Sequence, residues 1–312
     1  MKAQADVQAL LVPGPWAHRF INANGNRFHV AECGTGPLVL FLHGFPDFWW
    51  TWREQLPAFA AAGYRAAAMD LRGYGASDKP PRGYDVYTLA ADITGVIRAL
   101  GERSALVVGH DWGGTLGWAA AAFHPRLVEK LAVISATHPL LLRRALLRDG
   151  RQRGALRHMW TFQLPRYEHV LTRNGGTYIA DLVHRWAGPG WKDTPQCAEH
   201  ASACANAMRT DHVAFCALEY YRWAVRSLTR RSGWRFASMM TAPIEQTVLQ
   251  LHGAADSCVL PSSVVGAQQY VRGAYEYRQL TRIGHFPHLE TPQVVNEALL
   301  SWADEGNLHP AR

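Results

Sequence analysis

The chain has few cysteines, and none in a pattern that implies chemistry. Its five, Cys33, Cys197, Cys204, Cys216 and Cys258, are odd in number and scattered, with no CxxC pair. Neither a disulfide framework nor a zinc or redox centre is expected, and the thiols should be reduced and inert. No stretch approaches the ~20 uninterrupted apolar residues needed to cross a bilayer. Residues 1–15 carry one lysine and only the short apolar patch Ala9-Leu10-Leu11-Val12, too little for the apolar core of a secretory leader, so a cytoplasmic location is expected. Charged residues make up 18% and hydrophobic residues 48%, which excludes the profile of a disordered chain. Internal repeats and low-complexity tracts are also missing. Acidic side chains are the scarcer sign, 25 against 32 Lys and Arg, for a net charge of +7. Arg143, Arg144, Arg148, Arg151, Arg153 and Arg157 form a basic cluster that invites a nucleic-acid or anionic-membrane reading. No nucleic-acid-binding motif accompanies it. A solvated helix face accounts for the cluster, and neither nucleic acid nor a membrane is expected as a partner.

What is present alternates between two periods. Residues 19–33 alternate around Asn24-Gly25-Asn26 and read as an antiparallel hairpin. Leu38-Val39-Leu40-Phe41-Leu42 is instead a continuous apolar run, as expected of a parallel strand buried on both faces. Further runs at 64–69, 105–108 and 131–134 follow, with helical spacing over 89–100 and an alanine-rich helix from Gly113-Gly114 to about His124, stopped by Pro125. From 138 to 236 the pattern is helical and rich in Arg, Trp and Tyr, without a buried strand run. Strands return at 247–251 and 275–280, with helix-like segments at 262–271 and 293–302. The simplest organisation is an α/β core of mostly parallel sheet, residues 1–137 and 237–312, carrying a helical insertion over 138–236.

The chemistry concentrates where strands end. Leu106-Val107-Val108 runs into Gly109-His110-Asp111-Trp112-Gly113-Gly114 and then a helix, which fits a Gly-x-nucleophile-x-Gly elbow with aspartate in the central place. A nucleophile there needs oxyanion donors, a base and an acid that orients the base. His43-Gly44-Phe45-Pro46 ends the preceding buried strand, where the Phe45 N–H could pair with that of Trp112. His285, in Gly284-His285-Phe286-Pro287-His288, is the expected base, with the small Gly284 letting its ring turn inward; His288 is expected at the surface or behind the site. Asp256, after the run at 247–251, is the expected orienting acid. The order nucleophile, acid, base at the ends of successive strands is where open α/β sheets place their sites.

These motifs, with Trp49-Trp50-Thr51-Trp52-Arg53 after Pro46, resemble the soluble epoxide hydrolase family of the α/β-hydrolase fold. The resemblance covers residues from about Arg19 to Trp302. It implies that 138–236 is a cap over the active site, and that an epoxide is converted to a vicinal diol through an alkyl ester on Asp111, hydrolysed by water that His285 and Asp256 activate. The implied partners are a small apolar epoxide and water, with no metal or organic cofactor; a homodimer is compatible with the sequence. The family usually carries two cap tyrosines as ring-opening acids. The second falls on Tyr221, beside Tyr220. The first falls on His158, four residues before Phe162, so a His/Tyr pair is expected, with His158 donating as a neutral ring. Haloalkane dehalogenases share the aspartate but typically have Asn where Phe45 stands. Fluoroacetate dehalogenases need arginines where Trp112 and Thr115 stand. A non-catalytic receptor on the same fold would not require Asp111, His285 and Asp256 together.

Overall fold

The computed structural model describes residues 7–305; the leader reading rests partly on residues 1–6, outside that range. Two strands, β1 (Ala17–Ala23) and β2 (Asn26–Cys33), form the first hairpin. Asn24 and Gly25 both take positive φ, 45° and 74°, the conformation that suits a two-residue turn to the twist of the strands it joins. The remaining strands are β3 (Leu38–Leu42), β4 (Arg65–Met69), β5 (Ala105–His110), β6 (Val128–Ile134), β7 (Thr247–Gly253) and β8 (Tyr275–Leu280). They complete one eight-stranded sheet in the order β1-β2-β4-β3-β5-β6-β7-β8. β2 pairs antiparallel with β4, and every pairing from β4 to β8 is parallel.

The continuous apolar runs have a simple cause. Along β3, Leu38, Leu40 and Leu42 enter one core layer and Val39 and Phe41 the other, because successive strand residues point to opposite faces. On the first face lie α2 (Val86–Ala99) and α3 (Trp112–Phe123); on the second, α1 (Gln55–Ala61) and the C-terminal α13 (Pro292–Asp304). Helix α2 starts three residues before its expected first apolar position because Asp85 caps it, its Oδ1 accepting the Thr88 N–H at 3.0 Å,.

Between β6 and β7 the chain forms α4 (Pro139–Arg148), α5 (Gly150–Ala155), α6 (His158–Thr161), α7 (Glu168–Thr172), α8 (Thr177–Trp186), α9 (Pro195–Met208), α10 (Val213–Ser227) and α11 (Arg231–Met239), with no strand among them. Among the described residues no helix is long and apolar enough to cross a membrane. The helix expected over 262–271 is not formed: two short 3-10 turns, Pro261–Ser263 and Ala267–Tyr270, flank Gly266, whose φ of 96° breaks the helical path. Periodicity alone cannot see such a break, because glycine neither announces nor forbids a left-handed residue. After β8, the short α12 (Pro287–Glu290) leads into α13.

Candidate active site

Asp111 occupies the single residue between β5 and α3, with φ 50° and ψ −116°. An L-residue adopts such a conformation only where its surroundings impose it. They do so here by close approach. A Cβ at Gly113 would lie 2.1 Å from the Leu42 carbonyl oxygen, and one at Gly109 2.3 Å from the Gly113 oxygen. Glycine at both positions is therefore required by the packing of α3 against β3 and β5. The Phe45 N–H donates to Asp111 Oδ1 at 2.9 Å. Trp112 opens α3, where the first N–H groups have no partner within the helix and the helix dipole favours an anion.

The base and acid expected from sequence converge on the same carboxylate. His285 Nε2 stands 3.7 Å from Asp111 Oδ2, and Nδ1 stands 2.8 Å from Asp256 Oδ2. Asp256 Oδ1 accepts the N–H groups of Cys258 and Val259 at 2.8 and 3.0 Å. Burial would raise the Asp256 pKa, but His285 and these donors outweigh it and hold the carboxyl below its ordinary value,. Burial likewise would lower His285; the Asp256 charge, with Asp111 on the other side, instead raises it to about 10.

Tyr221 and His158 reach the site from the helical segment. Together with Asp111 and Trp112 they line one cavity of about 410 Å³. Tyr221 packs edge-on to Phe45, Trp112 and His158, with ring centroids 5.3, 5.2 and 5.5 Å away. The two neighbouring tyrosines are separated by geometry: the Tyr220 hydroxyl donates to the Arg72 carbonyl at 2.8 Å and is spent on structure. Burial raises the Tyr221 pKa well above its ordinary value, so the hydroxyl keeps its proton at neutral pH.

His158 is buried, being 5% exposed, and burial lowers its pKa to about 4. Its ring is therefore neutral at neutral pH, and it lines the cavity beside Tyr221.

Other residues hold the site from behind. His43 accepts the Leu71 N–H on Nε2 at 3.0 Å, leaving its Nδ1–H for the Gly44 carbonyl at 2.9 Å, and so fixes the loop that carries Phe45. Gly44 itself is forced, since a Cβ there would lie 2.4 Å from that of Asp111, and Pro46 continues the turn toward Asp47. His288 is fully buried, not at the surface, and pairs with Thr51 Oγ1 at 2.7 Å. Gly284 also allows a close crossing: a Cβ there would sit 2.2 Å from the Gly188 nitrogen, where the helical segment crosses the loop and Trp186 O accepts the His285 N–H at 2.9 Å.

Sequence reasoning missed three groups. Glu290 accepts from Gly188, Gly284 and Phe286 N–H groups at 3.1, 2.7 and 3.1 Å, tying insertion and loop together. Asp47 takes the His200 Nε2 of α9 at 2.8 Å, and His110 Nε2 faces the His285 carbonyl at 2.8 Å. Asp47 and His110 directly flank motifs already singled out, and their full burial is the signal that sequence cannot display.

The alpha/beta hydrolase fold family matches this chain over residues 37–292. Epoxide hydrolase 4 of Mus musculus is 31% identical over 289 residues, 91% of this chain and 77% of that protein. The chain belongs to the epoxide hydrolase family of the α/β-hydrolase fold. Epoxide hydrolase 3 of Xenopus tropicalis matches this family member at 32% identity over 288 residues, 90% of this chain and 76% of that one. The structure of a variant epoxide hydrolase from Bacillus megaterium, complexed with its product (R)-3-[1]naphthyloxy-propane-1,2-diol, superposes with a TM-score of 0.82 at 32% identity, over 92% of this chain and 100% of that one. Residues 37–292 take in β3 to β8 and all of α4–α11, so the match to the alpha/beta hydrolase fold family spans the helical insertion.

Proposed function

We propose that this enzyme hydrolyses an apolar epoxide to a vicinal diol, with Asp111 as covalent nucleophile and residues 138–236 as a cap over it. The observation that carries the reading is the pair of environments on one carboxylate: Asp111 Oδ1 is held by the Phe45 N–H at 2.9 Å, while Oδ2 faces His285 at 3.7 Å, both beside Tyr221 in one largely apolar cavity. Oδ2 attacks a ring carbon and the carbon–oxygen bond of the ring breaks. The departing alkoxide takes the Tyr221 proton. Esterification removes the Asp111 charge, and with it part of what holds the proton on His285; that proton replaces the one Tyr221 has lost. The first half-reaction thus ends with a neutral base in place. Water, deprotonated by His285, then adds to the ester carbonyl of Asp111. The tetrahedral oxyanion lies at the Phe45 and Trp112 N–H groups, and its collapse expels the diol, which recovers the proton.

His158 is the second polar group beside Tyr221 in this cavity and, as a neutral ring, a secondary hydrogen-bond donor,. Tyr221→Phe should therefore slow alkylation by roughly a hundred-fold or more, followed by stopped-flow Trp fluorescence with a terminal aryl epoxide. His158→Phe should slow it less than ten-fold at neutral pH, and His158→Tyr should retain activity. Alkylation by Tyr221→Phe at the wild-type rate would remove the tyrosine from the mechanism. Turnover of a haloalkane panel with none of a broad epoxide panel would replace the proposed reaction by dehalogenation.

A further inference from the structure

The fold gathers the chain's positive charge around the mouth of the Asp111 cavity. Segments 139–160 and 223–239 hold ten arginines and one acid, Asp149, leaving 22 basic and 24 acidic residues for the rest of the chain, whose totals are 32 and 25. The net charge of +7 is thus wholly a property of these two segments. All ten, Arg143, Arg144, Arg148, Arg151, Arg153 and Arg157 with Arg226, Arg230, Arg231 and Arg235, are exposed. None forms an ion pair with a described carboxylate. From sequence the first six read as a solvated helix face; the structure sets them beside a second basic segment nearly 70 residues later in the chain.

Apolar side chains stand exposed on the same two segments. Leu147, Trp160, Leu228 and Trp234 are 72%, 50%, 41% and 56% exposed. The first three also line the cavity, so they sit at its opening. Trp234 is tied to them by its indole N–H, which donates to the Leu228 carbonyl at 3.2 Å. A solvated basic face does not require exposed leucine and tryptophan among its arginines. A surface that enters the boundary of a bilayer does: amphipathic tryptophan and leucine bury a few ångströms into the headgroup region, and surrounding arginines pair with anionic lipid phosphates.

We propose that the rim formed by α4, α6, the end of α10 and α11 docks on an anionic lipid surface, with the cavity mouth against the membrane. This revises the expectation, drawn from sequence, that no membrane is a partner. The docking itself does not depend on the chemistry at Asp111. Under the epoxide reading it lets a substrate that partitions into lipid enter the cavity without crossing water.

The test uses the full chain without epoxide, cosedimented with vesicles of phosphatidylcholine alone or mixed with phosphatidylglycerol. The protein should bind the mixed vesicles at low salt, release as salt rises, and bind neutral vesicles at least ten-fold more weakly. Arg144→Glu, Arg148→Glu and Arg231→Glu together should lower the partition coefficient roughly a hundred-fold or more. Trp234→Ser should lower it several-fold. These four positions lie outside the cavity lining, and circular dichroism with thermal melting reports on the folding of the variants. Failure to bind mixed vesicles, equal binding to neutral ones, indifference to the substitutions, or stronger binding to a DNA duplex at equal phosphate concentration would overturn the proposal. None of these results bears on the epoxide reading, because no substrate is present.

Discussion

Replacing His285 with glutamine is expected to give an enzyme that reacts once and stops. The side chain is fully buried between two carboxylates, with Asp256 2.8 Å away on one side and Asp111 3.7 Å away on the other. Glutamine can still donate to Asp256, so that buried charge keeps a partner, and Cys258 and Val259 continue to donate to it. It cannot take a proton from water. Ring opening relies on Asp111 and Tyr221 and should proceed, whereas ester hydrolysis should fall by at least about a hundred-fold, the usual contribution of a positioned general base. Quenched-flow assays should show a burst of one epoxide consumed per active site. The same account fixes the sign of the pH dependence. Hydrolysis needs neutral His285 and should accelerate as pH rises through its pKa in the esterified enzyme. That value lies below the resting value of about 10, because esterification cancels one of the two charges that raise it. A multiple-turnover rate close to wild type in this variant would contradict the role of the base.

Asp111→Ala should lower kcat by more than about a thousand-fold, a loss of over ~4 kcal/mol in transition-state stabilisation. Nothing else in the cavity is placed to replace the carboxylate. Folding should be spared, because the side chain faces the cavity and its loss opens no core void. Circular dichroism and thermal melting measured beside turnover separate the two effects. Residual activity above that level in a folded variant would show that the carboxylate is not the nucleophile.

How much of this could be read from sequence depends on what kind of information each feature carries. Leu38–Leu42 and Tyr275–Leu280 form as expected, because a strand buried among parallel neighbours and one bounded by turns both leave local signatures. Asp111, Asp256 and His285 were legible for a related reason: each follows a strand, and the sheet order brings β5, β6, β7 and β8 side by side, which places strand ends together. What was lost is what depends on packing from elsewhere. The failed helix after residue 261 turned on the φ of one glycine. The burial of His158 depends in part on Trp186 of α8, whose ring lies 5.3 Å away. Asp47, His110 and Glu290 are single polar residues whose roles exist only once α9, the loop at Gly188 and the loop at Gly284 meet. The arginine clusters were visible one at a time, and their shared position at the cavity mouth was not.

The central claim, an ester on Asp111 hydrolysed at its own carbonyl, makes a specific demand on where oxygen atoms go. Water adds to the carbonyl carbon of the ester, so its oxygen stays with the protein, and the oxygen delivered to the substrate is one that Asp111 already held. A single turnover with enzyme in excess over epoxide, run in water enriched in oxygen-18, tests this directly by mass spectrometry of the diol and of the peptide containing Asp111. The account predicts unlabelled diol and label in that peptide; labelled diol with an unlabelled peptide would mean that water opens the ring directly and would contradict it.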